Sequence, residues 1–279
     1  MKQDTGASGS GQEPTVLVYV DESEMPVCLE HEPCPDLGRI PSSTCRRIYL
    51  YGVGAAVFET STDLDELAAR LESLKVSISV RSGIATSRRM KKFVSDGWHA
   101  TDDTPEFADP LVQELDVAGV FKGHACYFLT EEKQGNATDV YARLSLALAR
   151  NLAARYRGQT VEFVFEAGGL PQRDAEEVIR AAGAPDDTNV RLETKGNVLL
   201  AVADYLLYAA LKYAARTEQL CPGAECDIEH RVPVASDLIY GDDAAPLPFG
   251  HVGANERWHK LYYAFARSMS AAVRIAPPA

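Results

Sequence analysis

The chain has 279 residues, of which 46% are hydrophobic and 24% charged, and a net charge of −12. That composition excludes whole-chain disorder and collagen-like or coiled-coil architectures, and the length fits one large domain or two small ones with a sizeable core. The acidic balance excludes a protein that coats nucleic acid through a general basic surface. It leaves room for an enzyme that gathers carboxylates around metal ions and keeps a local basic strip for phosphates.

Residues 1–13 are rich in Gly, Ser, Gln and Asp and are expected to form a disordered tail. No apolar h-region follows Met1, and no run approaches about 18 apolar residues. A secretory signal and a membrane span are therefore not expected, and the cytoplasm is the expected compartment. Residues 14–279 read as a single domain with insertions at about 25–45 and 217–256.

Thr15 to Val20 is a β-branched run that predicts a buried strand ending in Asp21-Glu22-Ser23-Glu24. The following stretch, 25–45, holds four prolines and three cysteines and reads as a loop or small insertion. Arg46 to Glu59 predicts a long strand in which Gly52 and Gly54 mark a bulge or a close backbone approach. Thr62-Asp63 caps a helix carrying Leu64, Leu67, Ala68 and Leu71. Val76, Ile78 and Val80 alternate with other residues and predict a short strand.

A basic run, Arg88-Arg89-Met90-Lys91-Lys92, precedes Trp98 to Asp103, and a helix is expected from Pro105 to about Leu115. Phe121 to Thr130 reads as a strand and Asp139 to Arg157 as an amphipathic helix. Thr160 to Glu166 is a second short apolar strand ending in a carboxylate. A helix from Gln172 to Ala182 closes at Gly183. Val190 to Glu193 predicts a strand, Asn197 to Arg216 a long apolar helix, and Glu256 to Val273 a last amphipathic helix. In that last segment Trp258, Leu261, Tyr262 and Phe265 suit either core or interface, so a homo-oligomer or a protein partner stays open. The alternation of strands and helices after residue 115 points to an α/β fold with some parallel pairing.

Three carboxylates fall where this pattern makes them conspicuous. Asp21 and Glu166 end apolar strands, and Asp204 interrupts an apolar helix. Neighbouring strands would set Asp21 beside Glu166, and a helix packed across that end would add Asp204. Converging carboxylates repel unless a cation neutralises them, and hard oxygen donors suit Mg²⁺ or Mn²⁺. Two such ions about 3.5–4 Å apart can activate water and stabilise a leaving oxygen in phosphodiester hydrolysis. Plainer readings stand beside this one. Asp21-Glu22 also fits a solvated strand end, Glu166 a turn carboxylate before Gly168-Gly169, and Asp204 a solvent-facing group or a partner of Lys195 or Lys212.

The motif order resembles that of the bacterial domain of unknown function 3800 family (DUF 3800). Val18-Tyr19-Val20-Asp21-Glu22-Ser23-Glu24 is similar to the family's strand ending in Asp-Glu-Ser-Gly, with Glu24 in place of glycine. Leu200 to Asp204 is similar to its apolar helix bearing Ala-Asp. Gly97-Trp98-His99-Ala100-Thr101-Asp102 is similar to its Glu-aromatic-His segment, with Gly97 where the family has glutamate and Asp96 adjacent. Val161 to Glu166 is similar to a later strand ending in an acidic residue.

The resemblance covers roughly residues 15–216. It implies an RNase H-like mixed sheet flanked by helices, with a Cys/Pro-rich insertion after the first strand, and a metal-dependent nuclease-like site. Carried over, Asp21, Glu166 and Asp204 become Mg²⁺ or Mn²⁺ ligands, and Glu22 a ligand or a partner of one. His99 becomes a proton carrier or phosphate contact; its plain alternative is a packed loop histidine.

Of six cysteines, Cys28, Cys34 and Cys45 join His31 in an array whose residue types suit a structural Zn²⁺. Cys221, Cys226 and His230 form a second cluster, and the two would make one site if they meet. Incidental thiols in loops are the alternative. Arg88, Arg89, Lys91 and Lys92 suit a phosphate backbone, or simply a solvated helix face. The chain carries no Walker A, dinucleotide-binding or G-x-S-x-G motif.

Two functions follow as expectations. One is a metal-dependent nuclease or phosphodiesterase acting on nucleic acid, with a small-molecule phosphoester hydrolase as a variant. The other is a catalytically degenerate RNase H-like module that binds nucleic acid or a protein, favoured by Gly97 and the charge of −12.

Overall fold

The computed structural model describes residues 15–29, 47–59, 63–80, 88–100, 103, 105–118, 121–185, 188–217, 220–221 and 268–277. These form a mixed α/β sheet with helices on both faces. The strands are β1 (Val16–Leu29), β2 (Arg47–Glu59), β3 (Phe121–Thr130), β4 (Val161–Glu166), β5 (Asn189–Glu193), β6 (Leu220–Cys221) and β7 (Met269–Arg274). Their order is β5-β4-β1-β2-β3-β7, with the short β6 paired to the far end of β1. Strands β1 to β3 form an antiparallel meander, while β4 and β5 run parallel to β1 on its other side. Among the described residues no helix is long and apolar enough to cross a membrane.

The helices are α1 (Leu64–Ser79), α2 (Arg88–Asp96), α3 (Pro105–Ala118), α4 (Ala137–Arg155), α5 (Gln172–Ala181) and α6 (Val198–Thr217). Helix α6 is apolar almost all round and buried from Val198 to Ala203 and from Tyr205 to Leu211, as expected of a helix covered on every side. It lies between one face of the sheet and the layer of α1, α2 and α3. Helix α4, with Val140, Leu144, Leu148 and Leu152 at helical spacing, covers the other face together with α5.

Glycines decide how close α6 comes. A Cβ at Gly54 would lie 2.7 Å from Leu207 Cβ and 3.1 Å from its Cα, and one at Gly123 would lie 2.2 Å from Leu206 Cδ1. Gly52 and Gly54 thus serve a close approach of a helix.

Three expectations are corrected. Strand β1 does not end in Asp21-Glu22-Ser23-Glu24 but runs to Leu29, because β2 stays in register with it from Glu59 to Arg47, so the insertion starts later than residue 25. Backbone pairing does not depend on the polar side chains that ended the apolar run. Val76, Ile78 and Val80 are not a strand but the end of α1. Leu67, Leu71, Leu74 and Ile78 continue one helical face, whereas Val76 and Val80 are 61% and 74% exposed. Residues 269–274, expected at the end of a last helix, form edge strand β7 beside β3. The rest of that segment, the tail and most of both insertions lie outside the described residues.

Two strands from Val20 in the sheet, on the α4 face, His124 is 4% exposed and its Nε2 has no hydrogen-bond partner. Burial, with Arg155 and Lys122 nearby, pulls its pKa down to about 4.

Candidate functional site

The site forms where β4 stops and β1 continues. The parallel register ends at Val20 opposite Phe165, so Asp21 and Glu166 come next on adjacent strands. Alternation puts both on the α6 face, one step beyond Val20 and Phe165, whose side chains pack on the α4 face. The end of a parallel strand pair is where open α/β sheets form crevices.

On its other side Asp21 is the register partner of Gly54, the residue against which Leu207 packs. Asp204 lies one helical turn before Leu207, so the close approach at Gly54 carries Asp204 over Asp21 and Glu166. Its side chain is 18% exposed, and its Oδ2 accepts a 2.9 Å hydrogen bond from the Ala100 backbone N–H.

The electrostatics record the crowding. Burial first, then the charges of Asp204, Glu166 and Glu22, push Asp21 well above the usual carboxylate range. Burial also raises Asp204, against the lowering effects of His99 and the Ala100 N–H. Glu22 points to the opposite face of β1, where burial and the charge of Glu166 raise it to about 7. It lies flat against the backbone of Gly169, at which a Cβ would fall 1.1 Å from Glu22 Oε1. The Gly168-Gly169 turn therefore provides the room for Glu22.

The segment from Gly97 to Asp103 borders the cluster. His99 Nδ1 is 3.8 Å from Asp204 Oδ2. Its backbone N–H donates to Asp103 Oδ2 at 2.8 Å, and Tyr205 Oη donates to the same oxygen at 2.6 Å. Burial raises Asp103 to about 6 despite these donors. Trp98 is buried and donates from Nε1 to the Phe107 carbonyl at 2.8 Å, which ties the segment to α3.

Gly97 adopts φ +82° and its N–H donates to the Phe93 carbonyl at 2.9 Å, ending α2. A left-handed residue there favours glycine, which accounts for the missing side chain. The adjacent Asp96 accepts from Ser95 Oγ at 2.6 Å. The acidic group nearest His99 from this segment is Asp103, which the family-like pattern did not single out.

Asp21, Glu166, Asp204 and His99 are thus brought together, with Glu22 on the opposite face of β1 against Gly169. Lys195 lies against the cluster, its Nζ 3.0 Å from Glu166 Oε1. The basic run lies on α2, where Lys91 and Lys92 are exposed and Arg88 and Arg89 form the first turn. Cys28 and Cys221 are register partners on β1 and β6. His31, Cys34, Cys45, Cys226 and His230 lie outside the described residues, as does the Lys212 side chain.

The donor chemistry of the cluster fits a hard divalent cation: Asp21, Glu166 and Asp204 offer hard carboxylate oxygens, and a cation would offset the repulsion that helps push Asp21 up. As they stand, their oxygens meet Lys195, the Ala100 N–H and one another. Among the described residues no group of three or more His, Cys, Asp or Glu side chains is arranged to hold a metal ion.

No family model matches the chain. Over 143 residues, 49% of this chain, it is 31% identical to the glycine–tRNA ligase beta subunit of Edwardsiella ictaluri (strain 93-146), and it spans 18% of that protein's length. A solved ribonuclease H2 from Pyrococcus horikoshii OT3 is similar at 13% identity and a TM-score of 0.38, over 73% of this chain and 77% of that one.

Proposed function

We propose that the chain is a divalent-metal-dependent phosphodiesterase of the nuclease type, built on an RNase H-like sheet and akin to DUF 3800 proteins. The observation that carries this reading is the side-by-side register of Asp21 and Glu166 with Asp204 delivered across them by α6. A meander of three strands with two parallel strands beyond its first fits that sheet, and buried like charges without structural need are a mark of functional sites.

Asp21, Glu166 and Asp204 would hold Mg²⁺ or Mn²⁺, with Glu22 a ligand or a partner of one. The ion supplies charge neutralisation and an activated water. His99, next to Asp204 and partly exposed, is placed to carry a proton or meet a phosphate. Asp103 and Tyr205 fix the backbone from which His99 projects. Arg88, Arg89, Lys91 and Lys92 would meet a nucleic-acid backbone away from the reacting phosphate.

The test is cleavage of labelled single- and double-stranded DNA and RNA with Mg²⁺ or Mn²⁺. Wild type should cleave at least one substrate, and Asp21→Asn should lose at least about 10²-fold in rate. Gly97 favours a second reading, a degenerate module that binds nucleic acid or a protein without cutting. Retention of a nucleic acid by a wild type that never cleaves would replace the first reading with that one.

A further inference from the structure

Lys195 sits in the turn between β5 and α6. The Asn197 N–H donates to the Thr194 carbonyl at 2.9 Å, and Asn197 Oδ1 accepts from the Leu199 N–H at 2.9 Å. These two bonds close the turn and cap the helix that carries Asp204. The backbone of Lys195 is therefore fixed relative to the carboxylates, while its side chain is 52% exposed. The ammonium lies 3.0 Å from Glu166 Oε1, and its charge also acts on Asp21, Asp204 and Glu22.

Lysine presents a compact charge on a flexible four-carbon stem, and a half-exposed one can swing into water at little cost. An ammonium and a divalent cation cannot both lie against the same carboxylate oxygen, because like charges a few ångströms apart repel strongly. We propose that Lys195 is the resident counter-cation of the carboxylate cluster and competes with a divalent cation for Glu166, so that it sets the cation concentration at which the site fills. This rests on the metal-binding reading above.

The experiment is a competition titration of Mn²⁺ against a fluorescent chelator, at fixed ionic strength, with the whole chain as wild type, Lys195→Met and Lys195→Arg. Lys195→Met keeps the stem and loses the charge, and it should bind Mn²⁺ roughly tenfold more tightly than wild type. Lys195→Arg keeps the charge and should stay within about twofold of wild type. In thermal unfolding without metal, Lys195→Met should melt below wild type, and Mn²⁺ should raise its midpoint further than it raises the wild type's. Equal or weaker Mn²⁺ binding by Lys195→Met, with wild type binding normally, would overturn the role of Lys195 and leave the metal site standing. Failure of folded wild type and Lys195→Met alike to bind Mn²⁺ would overturn the metal site itself, and the inference with it.

Discussion

On the α6 face of the sheet, glycines at 52, 54 and 123 leave space that Leu206, Leu207 and Leu211 fill. On the α4 face the neighbouring positions carry Tyr51, Val53, Cys126 and Phe128, and a conventional side-chain core separates helix from sheet. Tyr51 and Phe128 stack there with ring centroids 5.4 Å apart. Both faces bury apolar area, but on the first a Cβ at Gly54 would stand 3.1 Å from the Leu207 Cα, and there a helix carboxylate is brought onto two strand carboxylates. Close approach is the means by which a packing pattern becomes a site.

The comparison can be broken most severely at Phe128. Phe128→Ala should cost about 3–5 kcal/mol in denaturant unfolding, the cost of an aromatic cavity, yet leave Mn²⁺ affinity per folded molecule unchanged. Gly54→Ala should cost less, about 2 kcal/mol, because Leu207 must retreat from the added methyl. It should also weaken Mn²⁺ binding, since Asp204 moves with Leu207. If Gly54→Ala lowered stability with no effect on Mn²⁺, close approach would be packing alone.

The buried carboxylates and the buried histidine also differ in pH response. Glu22 and Asp103 have folded pKa values raised to about 7 and about 6. Below their ordinary carboxylate values this contribution to stability is fully present, and it is lost as pH rises through about 4 to 7. His124 has a folded value lowered to about 4, so its contribution is present above its ordinary value near 6.5 and lost as pH falls towards 4. Metal-free Glu22→Gln should therefore gain on the order of 2 kcal/mol relative to wild type between pH 4.5 and 7.5, read by urea midpoints across that range. His124→Gln should flatten the acid side instead.

The smallest effect belongs to Gly97. Gly97→Ala should cost about 1 kcal/mol in thermal unfolding, from the left-handed backbone alone. A larger loss would mean that the His99 segment carries more of the fold than its hydrogen bonds indicate.

The sequence made the strands around the site easy to read, because β1, β4 and α6 are continuous apolar runs ending at or broken by a carboxylate. Gly52 and Gly54 signalled a close approach but not its partner. Polar residues hid the second half of β1, whose pairing with β2 is a backbone matter. Residues 269–274 took edge-strand form through pairing with β3, which no local pattern announces. Asp103 and Gly169 were not legible as site residues. Asp103 matters through a 2.6 Å bond to Tyr205, 102 positions along the chain, and Gly169 through the side chain of Glu22 on another strand. Lys195 was legible as a cation near Asp204, but its contact is with Glu166.

The most direct measurement is the thermal midpoint at pH 7 of wild type and Asp204→Asn, each with and without Mn²⁺. Ligand present at about 100 times its Kd stabilises a folded protein by about 2.7 kcal/mol, enough to move the midpoint by several degrees. The wild-type midpoint should rise with Mn²⁺ and that of Asp204→Asn should not. A wild-type midpoint indifferent to Mn²⁺ would contradict the assignment of Asp21, Glu166 and Asp204 as a metal site.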